Sequence, residues 1–227
     1  MSAPSLPQLS SKGSTCGAPN FNGVAPFYRW MELVTFGPWL QHCRCAFLGE
    51  FAGCRRAAVL GDGDGRFTAQ LLRVNSTIEI DAADASAAML RTLLRRAGTS
   101  AVRVRVHCAD ARTWHPANLP NDLIATHFFL DCLSADEVRS LADRLRAALS
   151  PSGLWVVSEF AIPEGAFGRW VARPVVWMLY RAFALLTGLA VRNLPDHPAA
   201  LRAAGFTLRQ RRSFLRGLLV AELWAAA

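Results

Sequence analysis

From Arg56 onward, short apolar runs alternate with segments of helical spacing. Strand, helix and strand repeated in this way call for a mostly parallel sheet with helices on both faces, the doubly wound α/β arrangement. The first run, Ala57 to Leu60, ends in Gly61-Asp62-Gly63-Asp64-Gly65, and the helix after it carries Phe67, Leu71 and Leu72 at buried-face spacing. A second strand is expected over Thr77 to Ala83, ending at Asp84; Ser86 then caps a helix whose Met89, Leu90, Leu93 and Leu94 face inward. Val102, Val104 and Val106 alternate with Arg103, Arg105 and His107, the pattern of a strand at a wetter sheet edge. A fourth strand is read over Asp122 to Thr126. Ser134, with Glu137 three positions on, makes a capping box for a helix with Val138, Leu141, Ala142, Leu145 and Leu149 on one face, ended by Pro151 and Gly153. Leu154 to Phe160 is the fifth strand. After a long helical insertion, Phe206 to Leu215 and Leu218 to Trp224 form a hairpin about Arg216-Gly217.

The composition supports such a core: 52% of the 227 residues are apolar and 19% charged, which suits one large folded domain. Residues 1–20, rich in Ser, Pro, Gly and Ala, read as a disordered leader without the apolar stretch of a secretory signal, leaving 21–227 as a single domain. Basic residues exceed acidic ones by 25 to 17, but no basic run is longer than two, so the dispersed charge argues against nucleic acid as a partner. The six cysteines form no Cys-x-x-Cys pair; reduced thiols, a cytoplasmic location and no metal site are expected. Trp170 to Val191 is apolar enough to suggest a membrane span, yet Arg173, Pro174 and Arg181 inside it point to a buried or surface-lying helix.

A glycine-rich turn between a first strand and a first helix lets a ligand approach the backbone, because glycine has no Cβ and tolerates positive φ. The spacing is not that of a dinucleotide site, since Arg66 stands where the third glycine should be, and no Gly-Lys-Ser/Thr follows to make a phosphate loop. Asp62 and Asp64 would repel a pyrophosphate and tolerate a cation. Asp84, nineteen positions beyond Gly65, is placed to accept both hydroxyls of a ribose, and Asp110 to accept from an adenine amino group. Together these describe a nucleoside without phosphates, and S-adenosylmethionine is the commonest such cofactor. The plainer alternatives are a tight strand-to-helix turn at the glycines, a neighbour of the Ser86 cap at Asp84 and a turn former at Asp110.

At this point the chain resembles the class I S-adenosylmethionine-dependent methyltransferases, over roughly residues 21 to 224. Val59-Leu60-Gly61-Asp62-Gly63-Asp64-Gly65, Asp84-Ala85-Ser86-Ala87-Ala88-Met89-Leu90, Asp110, Asp122-Leu123-Ile124-Ala125-Thr126-His127-Phe128 and Leu149-Ser150-Pro151-Ser152-Gly153 follow in that family's order. Phe21-Asn22-Gly23-Val24-Ala25-Pro26-Phe27-Tyr28 looks like the Tyr-Asp-x-x-Ala-x-x-Tyr helix of the ubiquinone and menaquinone methyltransferase branch, with Phe21 and Asn22 as departures. Val59 departs too, standing where that family usually has an acidic residue. The resemblance implies a Rossmann-like methyltransferase fold with a seven-stranded sheet whose last strand is antiparallel. It also implies cofactor contacts at Gly61, Asp62, Gly63, Gly65, Asp84, Ala85, Asp110, Ala111, Thr126 and Tyr28, with Asp62 or the Gly61 carbonyl taking the methionine ammonium in place of an acid at Val59.

No general base stands out. His127, Asp131, Glu159 and His197 all fall near strand ends, and transfer from an activated methyl donor depends more on alignment than on acid-base help. The expected function is methyl transfer to a small acceptor; the alternatives are a catalytically idle relative that binds a nucleoside or a partner, and a nicotinamide oxidoreductase, which the glycine spacing disfavours. Helices over 21–56, carrying Phe27, Tyr28, Trp30 and Met31, and an insertion over 161–197 are expected to form the acceptor side, the insertion acting as a lid. Arg169, Arg173 and Arg181 fall within about 120° on a helical wheel beside a run of large apolar residues. That stripe would suit a lipophilic acceptor and loose contact with an anionic membrane surface.

Overall fold

The structure is a computed structural model in which residues 36–116, 120–187 and 195–226 are described. The leader over 1–20 and the Phe21–Tyr28 helix, with Trp30 and Met31, lie outside the described residues. A short α1 (Trp39–Arg44) precedes β1 (Arg56–Leu60), α2 (Arg66–Val74), β2 (Glu79–Asp84), α3 (Ala87–Ala97) and β3 (Val104–Cys108). Then come β4 (Asn121–His127), α4 (Ala135–Ala148) and β5 (Leu149–Phe160). One helical turn (Gly165–Phe167) and a π-helical stretch (Gly168–Ala172) lead into α5 (Arg173–Thr187), and α6 (His197–Ala203), β6 (Phe206–Phe214) and β7 (Leu219–Ala226) complete the described chain.

The strands form one sheet in the order β3-β2-β1-β4-β5-β7-β6, with β7 antiparallel to both of its neighbours. Alternation along β1 explains the two layers. Ala57 and Val59 join a core beneath α1, α2 and α3 that includes Phe47, Phe51, Phe67 and Leu71, whereas Ala58 and Leu60 join a core beneath α4 and α6 that includes Leu141, Leu145, Trp155 and Trp224. Because both faces are covered, the central strands are apolar at nearly every position. β3 is indeed at the edge, and its wetter side is chemical: Arg105 and His107 reach back to the buried carboxylate of Asp81 on β2.

Three expectations need correction. Val102 is not in the third strand; it is 84% exposed in a 3-10 turn (Gly98–Arg103). The Arg103 guanidinium donates to the carbonyls of Leu72, Asn75 and Ile78, which holds the turn under the end of α2 and delays the strand to Val104. The fifth strand starts at Leu149 and not Leu154, because an irregularity between Asn121 and Leu123 in the β4–β5 ladder lets the chain pass Pro151 and Gly153 without leaving the sheet. Met89 and Leu94 on α3 are half-buried; Leu90 and Leu93 carry its inward face.

Candidate functional site

The parallel strands β1, β2 and β4 end on one edge of the sheet. β1 connects through α2 to β2 on one side, while β4 lies on its other side, so the order reverses between β1 and β4 and a crevice opens there. The glycine turn occupies that point. Gly61, Gly63 and Gly65 have φ of +67°, +57° and +78°, a left-handed backbone that disfavours side chains. Their surroundings differ. A Cβ on Gly65 would sit 2.5 Å from Leu93 of α3, and one on Gly61 would meet the Phe129 ring at 2.6 Å, so both permit close packing. At Gly63 nothing lies within 4 Å, and the backbone faces open space.

Around that open face the structure gathers Asp84 at the end of β2 and, beyond β3, Asp110. Asp84 accepts the Ser86 N–H at 2.8 Å; burial raises its pKa, and the N–H groups of Ser86 and Gly63 oppose the rise. Asp110 is held by Arg112, whose Nη2 approaches to 2.6 Å and whose charge keeps the carboxyl below its usual range. Asp62 turns inward: it accepts the N–H groups of Phe67 (3.2 Å) and Thr68 (2.9 Å) at the start of α2, and burial pushes its pKa up to about 6. Asp64 pairs with Arg66 and Arg96. Ala85 is exposed at the edge, Ala111 is buried against the α4 side, and the Thr126 hydroxyl accepts from the Trp155 indole at 3.0 Å on that same side. Tyr28 lies outside the described residues.

Two further groups of side chains reach the same edge. Arg44 of α1 is buried and lies with its guanidinium 5.0 Å from the centre of the Phe128 ring; its positive charge opposes the rise at Asp62 and adds to the lowering of His127 by burial. Its position could not be read from spacing, because α1 carries no motif and reaches the turn only through packing. At the ends of β4 and β5, Glu159 is 1% exposed and its Oε1 accepts the N–H groups of Phe129 (3.1 Å) and Leu130 (2.8 Å), while its Oε2 is buried with no hydrogen-bond partner among the described residues. Asp131 is buried beside it, with Tyr180 of α5 against the pair; burial raises both carboxyls, and the neighbouring Asp131 raises Glu159 further. His127 bonds Ser158 through Nδ1 at 2.9 Å and packs at a tilt against the Phe67 ring, and burial holds it neutral by pushing its pKa well below the usual value. His197 is engaged elsewhere, on Glu222 of β7. Of the four candidate bases, three therefore converge on the β4 and β5 ends.

The family described as "Methyltransferase domain" matches residues 58–153, the stretch from β1 to the start of β5 that holds the glycine turn, Asp84 and Asp110. A search of curated protein sequences returns no significant match. Among solved structures, the chain is similar to a possible exported protein from Bordetella parapertussis (21% identity over 85% of this chain and 68% of that one, TM-score 0.65). It is also similar to mitomycin 7-O-methyltransferase (19%, 91% and 60%, 0.68) and to a putative O-methyltransferase from Nostoc punctiforme PCC 73102 (17%, 95% and 64%, 0.70). At these identities the likeness is one of fold: the sheet is that of the Rossmann-like methyltransferases, as the motif order implied. The chain spans 60% and 64% of the length of the latter two proteins.

Proposed function

We propose that the chain is an S-adenosylmethionine-dependent methyltransferase acting on a small, lipophilic acceptor. The observation that carries the proposal is the open, left-handed backbone at Gly63, set at the switch point beside the half-buried carboxylate of Asp84 and inside the stretch matched by the methyltransferase domain family. When bound, S-adenosylmethionine supplies an already activated methyl group and is left as S-adenosylhomocysteine. The chain's own residues would hold and screen it. Asp84 would accept the ribose hydroxyls, the Gly61–Gly65 turn would lie beneath the sugar, and Ala85, Asp110 and Ala111 would border the adenine. Asp62 already holds two helix N–H groups, so the methionine ammonium would fall to the Gly61 carbonyl, and Arg44 is the cation for the carboxylate end. Thr126 would contribute through its backbone and Tyr28 as a cover.

Oxygen is the proposed acceptor atom. One of the similar structures is named a 7-O-methyltransferase and another a putative O-methyltransferase. A hydroxyl acceptor must also lose a proton, and Glu159 or Asp131, at these strand ends, would take it only in its ionised form, as a base strengthened by the burial that raises its pKa. The likeness to the ubiquinone and menaquinone branch rests on Phe21 to Tyr28 alone. A cytoplasmic location rests on the free thiols of Cys43, Cys45, Cys54, Cys108 and Cys132. No helix among the described residues is long and apolar enough to cross a membrane.

The test is ligand-linked melting with S-adenosylhomocysteine and NADH in parallel. S-adenosylhomocysteine should raise the melting temperature in proportion to its affinity while NADH leaves it unchanged. Asp84→Ala should weaken that affinity by about 1.5–3 kcal/mol, the scale of a hydrogen bond involving a charged group. Absence of any shift at millimolar ligand would sink the reading. A shift without methyl transfer to any phenol, alcohol or amine offered would favour the catalytically idle binder instead.

A further inference from the structure

An amphipathic helix normally turns its large apolar side chains inward. Over 165–181 several large apolar residues do the reverse. The inward side is Gly168, Ala172, Val176 and Leu179, all buried, and a Cβ on Gly168 would collide with the Pro163 carbonyl. The outward side carries Trp170, Trp177 and Met178, exposed by 74%, 61% and 57%. Arg169, Arg173 and Arg181 are exposed among them, and the Arg181 guanidinium sits 5.1 Å from the centre of the Trp177 ring. Gly168 fits against Pro163 and Ala172, Val176 and Leu179 join the core, while the large residues outward leave an apolar surface no part of the described chain covers.

The surface continues past the helix. At the β6–β7 hairpin tip, Leu215 and Arg216 take left-handed φ of +49° and +56°, and the Arg216 guanidinium lies 5.7 Å from the centre of the Phe167 ring. Trp39 of α1, also exposed, is 6.5 Å from Phe214 at the other side of the tip. This tip is at the sheet edge where β4 and β5 end: Leu218 accepts the Ala161 N–H just beyond β5. Phe160, the last residue of β5, contacts both Phe128 (5.2 Å) and Phe36 (5.3 Å), so aromatic rings run from the end of β4 toward the same side.

We propose that this edge docks on an anionic lipid membrane, with Trp170, Trp177 and Met178 entering the headgroup boundary and Arg169, Arg173, Arg181 and Arg216 facing lipid phosphates. Charge complementarity selects the occupant. Residues 165–187 contain three arginines and no Asp or Glu, in a chain of net charge +8. Indole rings interleaved with arginine suit the boundary between water and hydrocarbon, where an amphipathic ring and a snorkelling cation are both satisfied. The inference deepens the proposed function, on which it rests for its purpose: a lipophilic acceptor would enter from the bilayer along the aromatic path.

The experiment is sedimentation of the full chain with vesicles of phosphatidylcholine alone or of equal parts phosphatidylcholine and phosphatidylglycerol. The protein should pellet with the anionic vesicles and stay in the supernatant with the neutral ones, and added salt should release it. Each basic residue at such a surface is worth about fivefold in partitioning, so Arg169→Glu/Arg173→Glu/Arg181→Glu should weaken it on the order of a hundredfold or more. Trp170→Ser/Trp177→Ser should weaken it with the charge unchanged, and Arg91→Glu/Arg95→Glu, on the exposed side of α3, should not. Equal recovery in both supernatants, or the same loss from the α3 control, overturns the proposal. The melting shift with S-adenosylhomocysteine, measured on every variant, reports folding and separates the two readings. Vesicle binding without that shift keeps the surface and sinks methyl transfer; the shift without vesicle binding does the opposite.

Discussion

Gly63 and Gly65 share a left-handed backbone but not a neighbourhood, and the difference separates a ligand position from a packing position. Alanine at either site carries the left-handed strain of about 1–2 kcal/mol. At Gly65 it adds overlap with Leu93, a further cost of about 1–3 kcal/mol. Gly63→Ala should therefore lower stability by only about 1–2 kcal/mol in denaturant titration while its methyl group weakens S-adenosylhomocysteine binding. Gly65→Ala should cost about 2–5 kcal/mol. Equal losses of stability, or unchanged affinity in Gly63→Ala, would mean that the open face is not where the ligand lies. The glycine turn and Asp84 were legible in the sequence because the residues beside them determine both a backbone conformation and a strand end. The inward turn of Asp62 was not, since it depends on where the first N–H groups of α2 point. Nor was the bonding of Glu159 to Phe129 and Leu130, or of Thr126 to Trp155, because each needs the β4–β5 register that sets Thr126 beside Val157 and His127 beside Ser158.

Among the elements, α4 shows how a short signal can be decisive. Ser134 Oγ accepts the Glu137 N–H at 3.3 Å, and Glu137 returns a carboxylate oxygen to the Ser134 N–H at 2.8 Å, with Arg112 tying the same glutamate to Asp110. Ser134→Ala should cost about 1 kcal/mol in thermal or urea unfolding, the usual worth of a cap. A change within error would show that the glutamate arm alone holds the helix start. Strand and helix periods carried most of the remaining assignments, and the exceptions have local causes. Val102 fits the alternation of its neighbours, but Arg103 takes three carbonyls and turns the chain first. The insertion was legible as a helix, and its π-helical stretch falls just before Pro174, whose ring cannot donate to the carbonyl of Trp170 and crowds it. Which side faced outward was not legible, because wheel geometry does not tell an apolar stripe that packs from one that is left uncovered.

For the molecule as a whole, burial of titratable groups makes stability depend on pH in two opposing ways. Glu159 and Asp131 are raised above their ordinary carboxyl range, so the folded state keeps protons that the unfolded state releases; their contribution is fully present below the unfolded value and is lost as pH rises toward the folded one. Asp62, at about 6, acts in the same direction. His127 is lowered, so its contribution is present above the ordinary imidazole value and is lost as pH falls below it. Glu159→Gln removes one titration and leaves the others, and the variant should lose less stability than the wild type between pH 5 and pH 8 in urea midpoints. Parallel profiles would show that Glu159 is ionised throughout. At this scale the seven-stranded sheet with an antiparallel last strand was expected from the family resemblance and the edge position of β3 from its alternation, whereas the exposure of Trp39, Trp170 and Trp177 was not legible. The position of β7 has a consequence for how the protein is made. β7 lies between β5 and β6 yet comes after all the other strands in the chain. While the polypeptide leaves the ribosome, β5 presents an open apolar margin throughout the synthesis of α5, α6 and β6. A nascent chain stalled before Leu219 would thus be the form most in need of a chaperone.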